Sequence, residues 1–222
     1  NSPKEKQTFI GFIPHLIHAA THTTSSDYLV ELLGMLGNLN YADYSFSKMI
    51  AKHDILTFLN RQLIPDFAED DIVLEVVIFL GTIASDEVCA HQLANSAVMR
   101  SLLDLFINKQ EDDEIILQIM YTFYKLIIQE ETRSYLLNET EIVPYLVDLL
   151  QDSNKEIRKM SDQTLDVVMD ESDFWAKKIC QSKFELHNAE WLEVIEEEGI
   201  YGEAEEEEEY EDPDMMNDVG TV

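Results

Sequence analysis

The sequence predicts an all-α solenoid, a stack of short helical units repeating every 41–44 residues. Three observations carry this. The tetrads "LGNL" (36–39), "LGTI" (80–83), "YKLI" (124–127) and "LDVV" (165–168) recur at intervals of 44, 44 and 41 residues. A second column, "FIPHLI" (12–17), "ILTFLN" (55–60), "VMRSLL" (98–103) and "IVPYLV" (142–147), starts 43, 43 and 44 residues apart, with Pro14 and Pro144 in one register. A third, Ile50, Leu93 and Leu137, lies five residues before the second each time. A fixed period of this length marks units that cannot bury their apolar faces alone and must stack.

Each unit reads as three helices. The first is short: "FSKMIAKH", "VCAHQLAN" and "TRSYLLNE". The second is the column beginning at Phe12, Ile55, Val98 and Ile142. The third is long and apolar: "DYLVELLGMLGNLN", "DIVLEVVIFLGTIAS", "EIILQIMYTFYKLII" and "EIRKMSDQTLDVVM". Taken alone, "IVLEVVIFL" could be a buried strand, but the periodic context makes it helix. Ser26-Asp27, Asp70-Asp71, Asp112-Asp113 and Asn154 precede or open these helices, where unpaired amides and the helix dipole favour such residues. A glycine inside a helix costs about 1 kcal/mol relative to alanine. Gly37 and Gly81 share one register, with Lys125 in the same place one unit on, so we assign the two glycines to close helix crossings between units. Gly34 does not recur.

After Met169 the pattern changes. "SDFWAKKICQSKF" (172–184) and "NAEWLEVIEEEG" (188–199) read as two amphipathic helices with Ser172 and Asn188 as N-caps. Phe174, Trp175, Ile179, Trp191, Leu192 and Ile195 would cover the open end of the stack. Residues 196–222 hold thirteen acidic residues and no basic one, a composition that predicts a solvated, disordered tail. The expected organisation is repeats over 1–171, the first of them partial, capping helices over 172–198 and the tail over 199–222. The opening "NSPKEK" lacks a methionine and reads as the start of a piece of a longer protein.

Composition narrows the function. The 222 residues carry 45 acidic and 15 basic side chains, a net charge of −30. So acidic a chain is repelled by nucleic-acid backbones and anionic membrane surfaces and draws basic partners. No apolar run is long enough to span a bilayer. Cys89 and Cys180 are far apart and match no ligand spacing, as expected of small buried hydrophobes in a reducing compartment. His15, His18 and His22 fall on one helical stripe that could hold zinc, but no fourth ligand is evident, and a metal-dependent enzyme is the weaker rival reading. No nucleophile constellation or phosphate loop is visible, so neither catalysis nor a cofactor is expected. Lys155, Arg158, Lys159, Lys177, Lys178 and Lys183 cluster just before the acidic tail, which could fold back on them and compete with a partner.

The period falls in the armadillo and HEAT range. "KEIRKMSDQTLDVV" followed by "WAKKICQSKFELHNAEWLEVIEE" resembles the last armadillo repeat and following helices of the kinesin-associated proteins, the non-motor accessory subunits of heterotrimeric kinesin-II. The likeness is densest over residues 140–197. It implies the C-terminal part of a non-catalytic cytoplasmic scaffold that binds the C-terminal tails of the kinesin-II motor chains and links them to cargo or cargo adaptors, including in cilia. Other armadillo scaffolds, in nuclear transport or phosphatase regulation, are the alternative.

In armadillo proteins the third helices line the binding wall, often with a tryptophan followed four residues later by an asparagine that grips an extended peptide. That pattern places Gly34, Ile78, Thr122 and Gln163 in the tryptophan column. Asn38, Thr82, Leu126 and Val167 fall in the asparagine column, and only Asn38 matches. One turn earlier lie Val30, Leu74, Gln118 and Lys159. The resulting groove is partly apolar, with Val30, Leu74, Ile78 and Leu126 open to a partner's hydrophobic segment unless they pack on neighbouring repeats. The expected contact residues are Asn38, Leu74, Ile78, Thr82, Gln118, Thr122, Lys159 and Gln163.

Overall fold

The computed structural model describes residues 3–39 and 44–189. Twelve α-helices and no strand are present among them. They are α1 (Pro3–His22), α2 (Ser26–Gly37), α3 (Ser47–His53), α4 (Ile55–Gln62), α5 (Asp70–Ile83), α6 (Glu87–Ala94), α7 (Ala97–Asn108), α8 (Asp113–Ile127), α9 (Glu130–Glu139), α10 (Ile142–Asp148), α11 (Lys155–Glu171) and α12 (Asp173–His187). A 3-10 turn, Leu149–Gln151, extends α10. The chain divides into two compact units, residues 1–180 and 181–222. The first carries the repeats.

Three complete units follow the expected order: α3-α4-α5, α6-α7-α8 and α9-α10-α11. The first pair, α1 and α2, departs from it, because one continuous helix with Pro14 inside it occupies the place of the first two helices. Like packs on like: α2, α5, α8 and α11 form one layer, α4 and α7 a second, and α3, α6 and α9 a third. The apolar faces meet in one core, in which Leu33, Leu59, Val76, Leu80, Leu93, Leu102, Phe123, Leu146 and Leu165 are almost wholly buried. Cys89 is among the buried residues; burial, then the hydrogen bond and charge of Asp86, push its thiol up to about 12, so it is inert packing.

The caps follow backbone chemistry. Ser25, one residue earlier than expected, accepts from the Tyr28 amide and opens α2. Asp112 accepts from Ile115 N at 3.1 Å to open α8, and Asn154 accepts from Glu156 N at 2.8 Å to open α11. Asp70 and Asp71 are not caps but first-turn residues of α5, where they meet the positive end of the dipole. Between α3 and α4, Asp54 takes a left-handed φ of 49° that turns the chain sharply, and its carboxylate accepts from Thr57 Oγ1.

Both recurring glycines lie at crossings. A Cβ on Gly37 would stand 2.9 Å from Ile78 Cγ2 and 3.3 Å from the Phe79 amide of α5. One on Gly81 would meet Thr122 Oγ1 at 3.0 Å and the Tyr121 ring at 3.1 Å on α8. The lone Gly34 also has a reason: its missing side chain makes room for the Glu75 carboxylate, 3.2 Å from where the Cβ would be.

Ser172 opens α12 as expected, accepting from Trp175 N. Of the apolar residues expected to cover the last repeat, Ile179 is buried and Trp175 packs against the core, but Phe174 is 60% exposed. Asn188 closes α12, its side-chain amide donating to the Phe184 carbonyl at 2.7 Å, and Ala189, the last described residue, is again helical. The expected second capping helix, with Trp191, Leu192 and Ile195, and the acidic tail lie outside the described residues.

Candidate functional site

Burial fixes which residues the third helices turn outward. In α2 and just after it the buried set is Leu29, Leu32, Leu33, Leu36, Gly37 and Leu39; the same pattern returns in α5 44 residues later as Val73, Val76, Val77, Leu80, Gly81 and Ile83. From α5 to α8 the shift is 43: Ile72, Val76, Phe79, Leu80 and Ile83 correspond to Ile115, Ile119, Thr122, Phe123 and Leu126. From α8 to α11 it is 42, giving Ile157, Ser161, Thr164, Leu165 and Val168. Each unit is one residue shorter than the one before at this layer.

This register corrects the sequence alignment in α8 by one residue. The outward columns are Val30, Leu74, Leu117, Lys159; then Gly34, Ile78, Tyr121, Gln163; then Asn38, Thr82, Lys125, Val167. Thr122, expected on the wall, is 0% exposed and lies inside the α5–α8 crossing, its hydroxyl bonded to the Gln118 carbonyl at 3.0 Å. Leu126, expected to be open, is fully buried. Gln118 sits one position beside the column assigned to it, and it is half-buried. Tyr124, not Lys125, occupies the glycine register.

The remaining expected residues share one face. Leu74, Ile78 and Thr82 are half-buried on α5; Lys159 and Gln163 are exposed on α11; Asn38 is exposed at the end of α2. Asn38 and Thr82 already have work: Asn38 Nδ2 donates to the Gly34 carbonyl at 2.8 Å, and the Thr82 hydroxyl donates to the Gly37 carbonyl. The asparagine expected to grip a peptide is therefore engaged in closing its own helix. Sequence alignment missed Leu117, Tyr121 and Lys125. Tyr121 is 37% exposed, and the Lys125 ammonium stands 5.0 Å above its ring.

The start of this face is acidic in every repeat. Asp27, Asp71, Glu114 and Glu156 hold one register, all exposed in the first turns of their helices. One turn on, Glu31 and Glu75 follow. Glu75 Oε2 is buried and receives no hydrogen bond among the described residues. Burial, then the charges of Glu31 and Glu114, raise the Glu75 carboxyl above its ordinary value.

The other candidates dissolve into local structure. His22 Nδ1 donates to the His18 carbonyl at 2.8 Å and the two rings lie 4.1 Å apart, while no group of three metal-ligating side chains forms among the described residues. In the basic cluster, Arg158 closes the turn before α11 on the carbonyls of Asp152 and Ser153, and Lys178 lies over the rings of Phe174 and Trp175. No helix among the described residues is long and apolar enough to cross a membrane.

Residues 1–220 match the family model described as kinesin-associated protein (KAP). Among solved structures, a designed armadillo repeat protein in complex with the peptide (KR)4 is similar at a TM-score of 0.68, with 18% identity, over 82% of this chain and 76% of that one. An engineered protein gives 0.64, with 18% identity, over 77% and 68%. A computationally designed armadillo repeat protein for modular peptide recognition gives 0.62, with 16% identity, over 77% and 70%. The fold is an armadillo-repeat solenoid.

Proposed function

The chain belongs to the kinesin-associated protein family, and on that premise we propose that it is a non-catalytic adaptor that binds the C-terminal tails of kinesin-II motor chains and links them to cargo. The observation that carries this reading is the family match over residues 1–220. The armadillo fold supports it physically, because a stack of helices offers one continuous face to an extended or helical segment. Such work places the protein in the cytoplasm, on the microtubule cytoskeleton and in cilia. The face of α2, α5, α8 and α11 is the contact surface we assign, with Leu74, Ile78, Tyr121 and Gln163 near its centre and Asn38, Thr82, Gln118 and Lys159 around them. Thr122 enters only as packing beneath it.

Isothermal titration of the chain against purified kinesin-II tail fragments tests the reading. Binding is expected, and Ile78→Asp with Tyr121→Asp should weaken it at least about tenfold, since interface centres reject unpaired charge. Circular dichroism of the double variant should be unchanged. Absence of binding by the folded parent would overturn the tail-binding role; undiminished binding by the double variant would move the contact to another face.

A further inference from the structure

We propose that this face recognises a basic amphipathic polypeptide segment, whose apolar side chains lie on Leu74, Ile78 and Tyr121 and whose lysine or arginine groups meet Glu31, Glu75 and Glu114. The inference rests on the reading of α2, α5, α8 and α11 as the contact surface, and adds the chemistry of what is bound there. Three features favour it together, on a wall whose outward columns also carry Lys125 and Lys159. The apolar positions form a strip one residue wide per helix, too narrow to bury a flat hydrophobic surface but suited to one stripe of side chains. Carboxylates border that strip at one end in every repeat, on a chain of net charge −30.

The third feature is Glu75. First-turn acids are accounted for by helix dipoles, and Asp27, Asp71, Glu114 and Glu156 could be there for that reason alone. Glu75 lies a turn further on, beyond the reach of its helix's N-terminal amides. Its carboxylate rests in the space left by Gly34, with one oxygen buried and unbonded among the described residues. Its charged neighbours Glu31 and Glu114, on the helices to either side, are of the same sign. A carboxylate so placed costs free energy in the unbound protein, and a cation arriving beside it recovers that cost. An acidic or neutral segment would leave it unsatisfied, so the wall also rejects the wrong partner.

The probe is a labelled synthetic helical peptide of about 18 residues, five turns long, with a leucine stripe and lysine flanks, and its counterpart with glutamate for lysine. Fluorescence anisotropy with the full chain should show the lysine peptide binding at least about tenfold more tightly, with affinity falling between about 50 and about 300 mM salt. Because any cationic peptide is drawn to so acidic a chain, two charge-matched variants decide the matter. The first, Glu31→Gln with Glu75→Gln and Glu114→Gln, removes three charges from the wall. The second, Asp104→Asn with Glu139→Gln and Glu141→Gln, removes three exposed charges elsewhere. The wall variant should lose about five- to tenfold in affinity and the control less than about twofold. Equal losses in both, or equal binding of the two peptides, would overturn the proposal as general polyelectrolyte attraction. The same variants against kinesin-II tail fragments keep the two readings apart: tail binding that is blind to the wall charges leaves the adaptor role standing and removes this inference.

Discussion

Helices α5 and α11 hold the same place in their repeats and differ in how much apolar burial secures them. The first lies between two other third helices and buries Ile72, Val73, Val76, Val77, Phe79, Leu80 and Ile83. Glycines at Gly37 and Gly81 let its neighbours come close enough for backbone and side chain to touch across the layer. The other meets one third helix, α8, and buries only Ile157, Leu165 and Val168 beside two polar residues, Ser161 and Thr164. Both helices have bonds at their ends, α5 through Asp70 and Lys109 at 2.6 Å and through Ala84 and Gln129 at 2.5 Å, but α11 depends on them more. Asn154 donates to Asp113 at 2.7 Å at one end, and Glu171 pairs with Arg133 at the other. Apolar burial is strong but non-directional, so a helix with less of it needs directional bonds to fix its position.

The largest expected effect probes the α5 side. Thr122→Asp places an unpaired charge inside the α5–α8 crossing and should cost about 3–5 kcal/mol or prevent folding. Tyr121→Asp, on the outward column next to it, should cost under about 1 kcal/mol. Urea denaturation followed by circular dichroism ranks them. The reverse ranking would restore the 44-residue register and make Thr122 a wall residue after all.

That one-residue slip also shows what could be read in the sequence. The repeat, the order of helices and the glycine crossings follow from spacing, because close packing allows few substitutes at a crossing. The tetrad "YKLI" looks like "LGTI", and aligning on those four residues puts the wall of α8 one residue off. Ile115, Ile116, Ile119, Met120, Phe123, Leu126 and Ile127 trace the buried stripe directly, and reading that 3.6-residue period first would have put Tyr121 and Lys125 outside. Glu75 was beyond reach: nothing in the chain announces that its carboxylate sits over Gly34 of a helix 41 residues earlier. The engagement of Asn38 and Thr82 by carbonyls was equally hidden, since a hydrogen bond to backbone leaves no pattern in side-chain identity.

On the α11 side, Arg133 is the residue to remove. Its guanidinium pairs with Glu171 and donates to the carbonyls of Ile127 (2.8 Å) and Ile128 (3.1 Å) at the end of α8. Arg133→Ala should destabilise by about 1–3 kcal/mol, with Glu171→Gln costing less because the carbonyls keep their donor. Hydrogen exchange should show the loss concentrated at the end of α8 and in α11. A loss spread evenly over α5 would mean the two helices are not secured separately.

Smaller effects grade the crossings themselves. Gly37→Ala brings a methyl group within 2.9 Å of Ile78 and 3.3 Å of backbone, and should cost about 1–2 kcal/mol. Gly81→Ala meets a hydroxyl and a partly exposed ring that can shift, so its net effect should lie within about 1 kcal/mol of zero, whereas Gly81→Leu should cost about 1–3 kcal/mol. Gly34→Ala meets only the far end of Glu75, and the gain in helix propensity should leave it neutral or up to about 1 kcal/mol more stable. Parallel thermal melts give the order. A stabilised Gly81→Leu would show that α5 and α8 are not in close contact there.

The smallest effect belongs to Glu75, and its sign is the test. The native state raises this carboxyl above its ordinary 4.5, so near that pH and upward the folded chain holds a proton more tightly than the unfolded one. Stability contributed by this group therefore falls as pH rises from the ordinary carboxylate range through the raised native value, and the penalty is complete above it. Glu75→Gln removes the titration and leaves an amide of the same shape. The variant should be slightly more stable than the parent at neutral pH, and the gap should close as the pH is lowered into the carboxylate range. A partly solvated group makes the difference small, so the pH trend of the gap decides more than its size. The opposite trend, a variant weaker at neutral pH whose deficit grows with pH, would mean that Glu75 finds a cation in the free chain. The wall would then have no unmet charge to offer a partner, and the case for a basic segment would fall back on the first-turn acids that helix dipoles already explain.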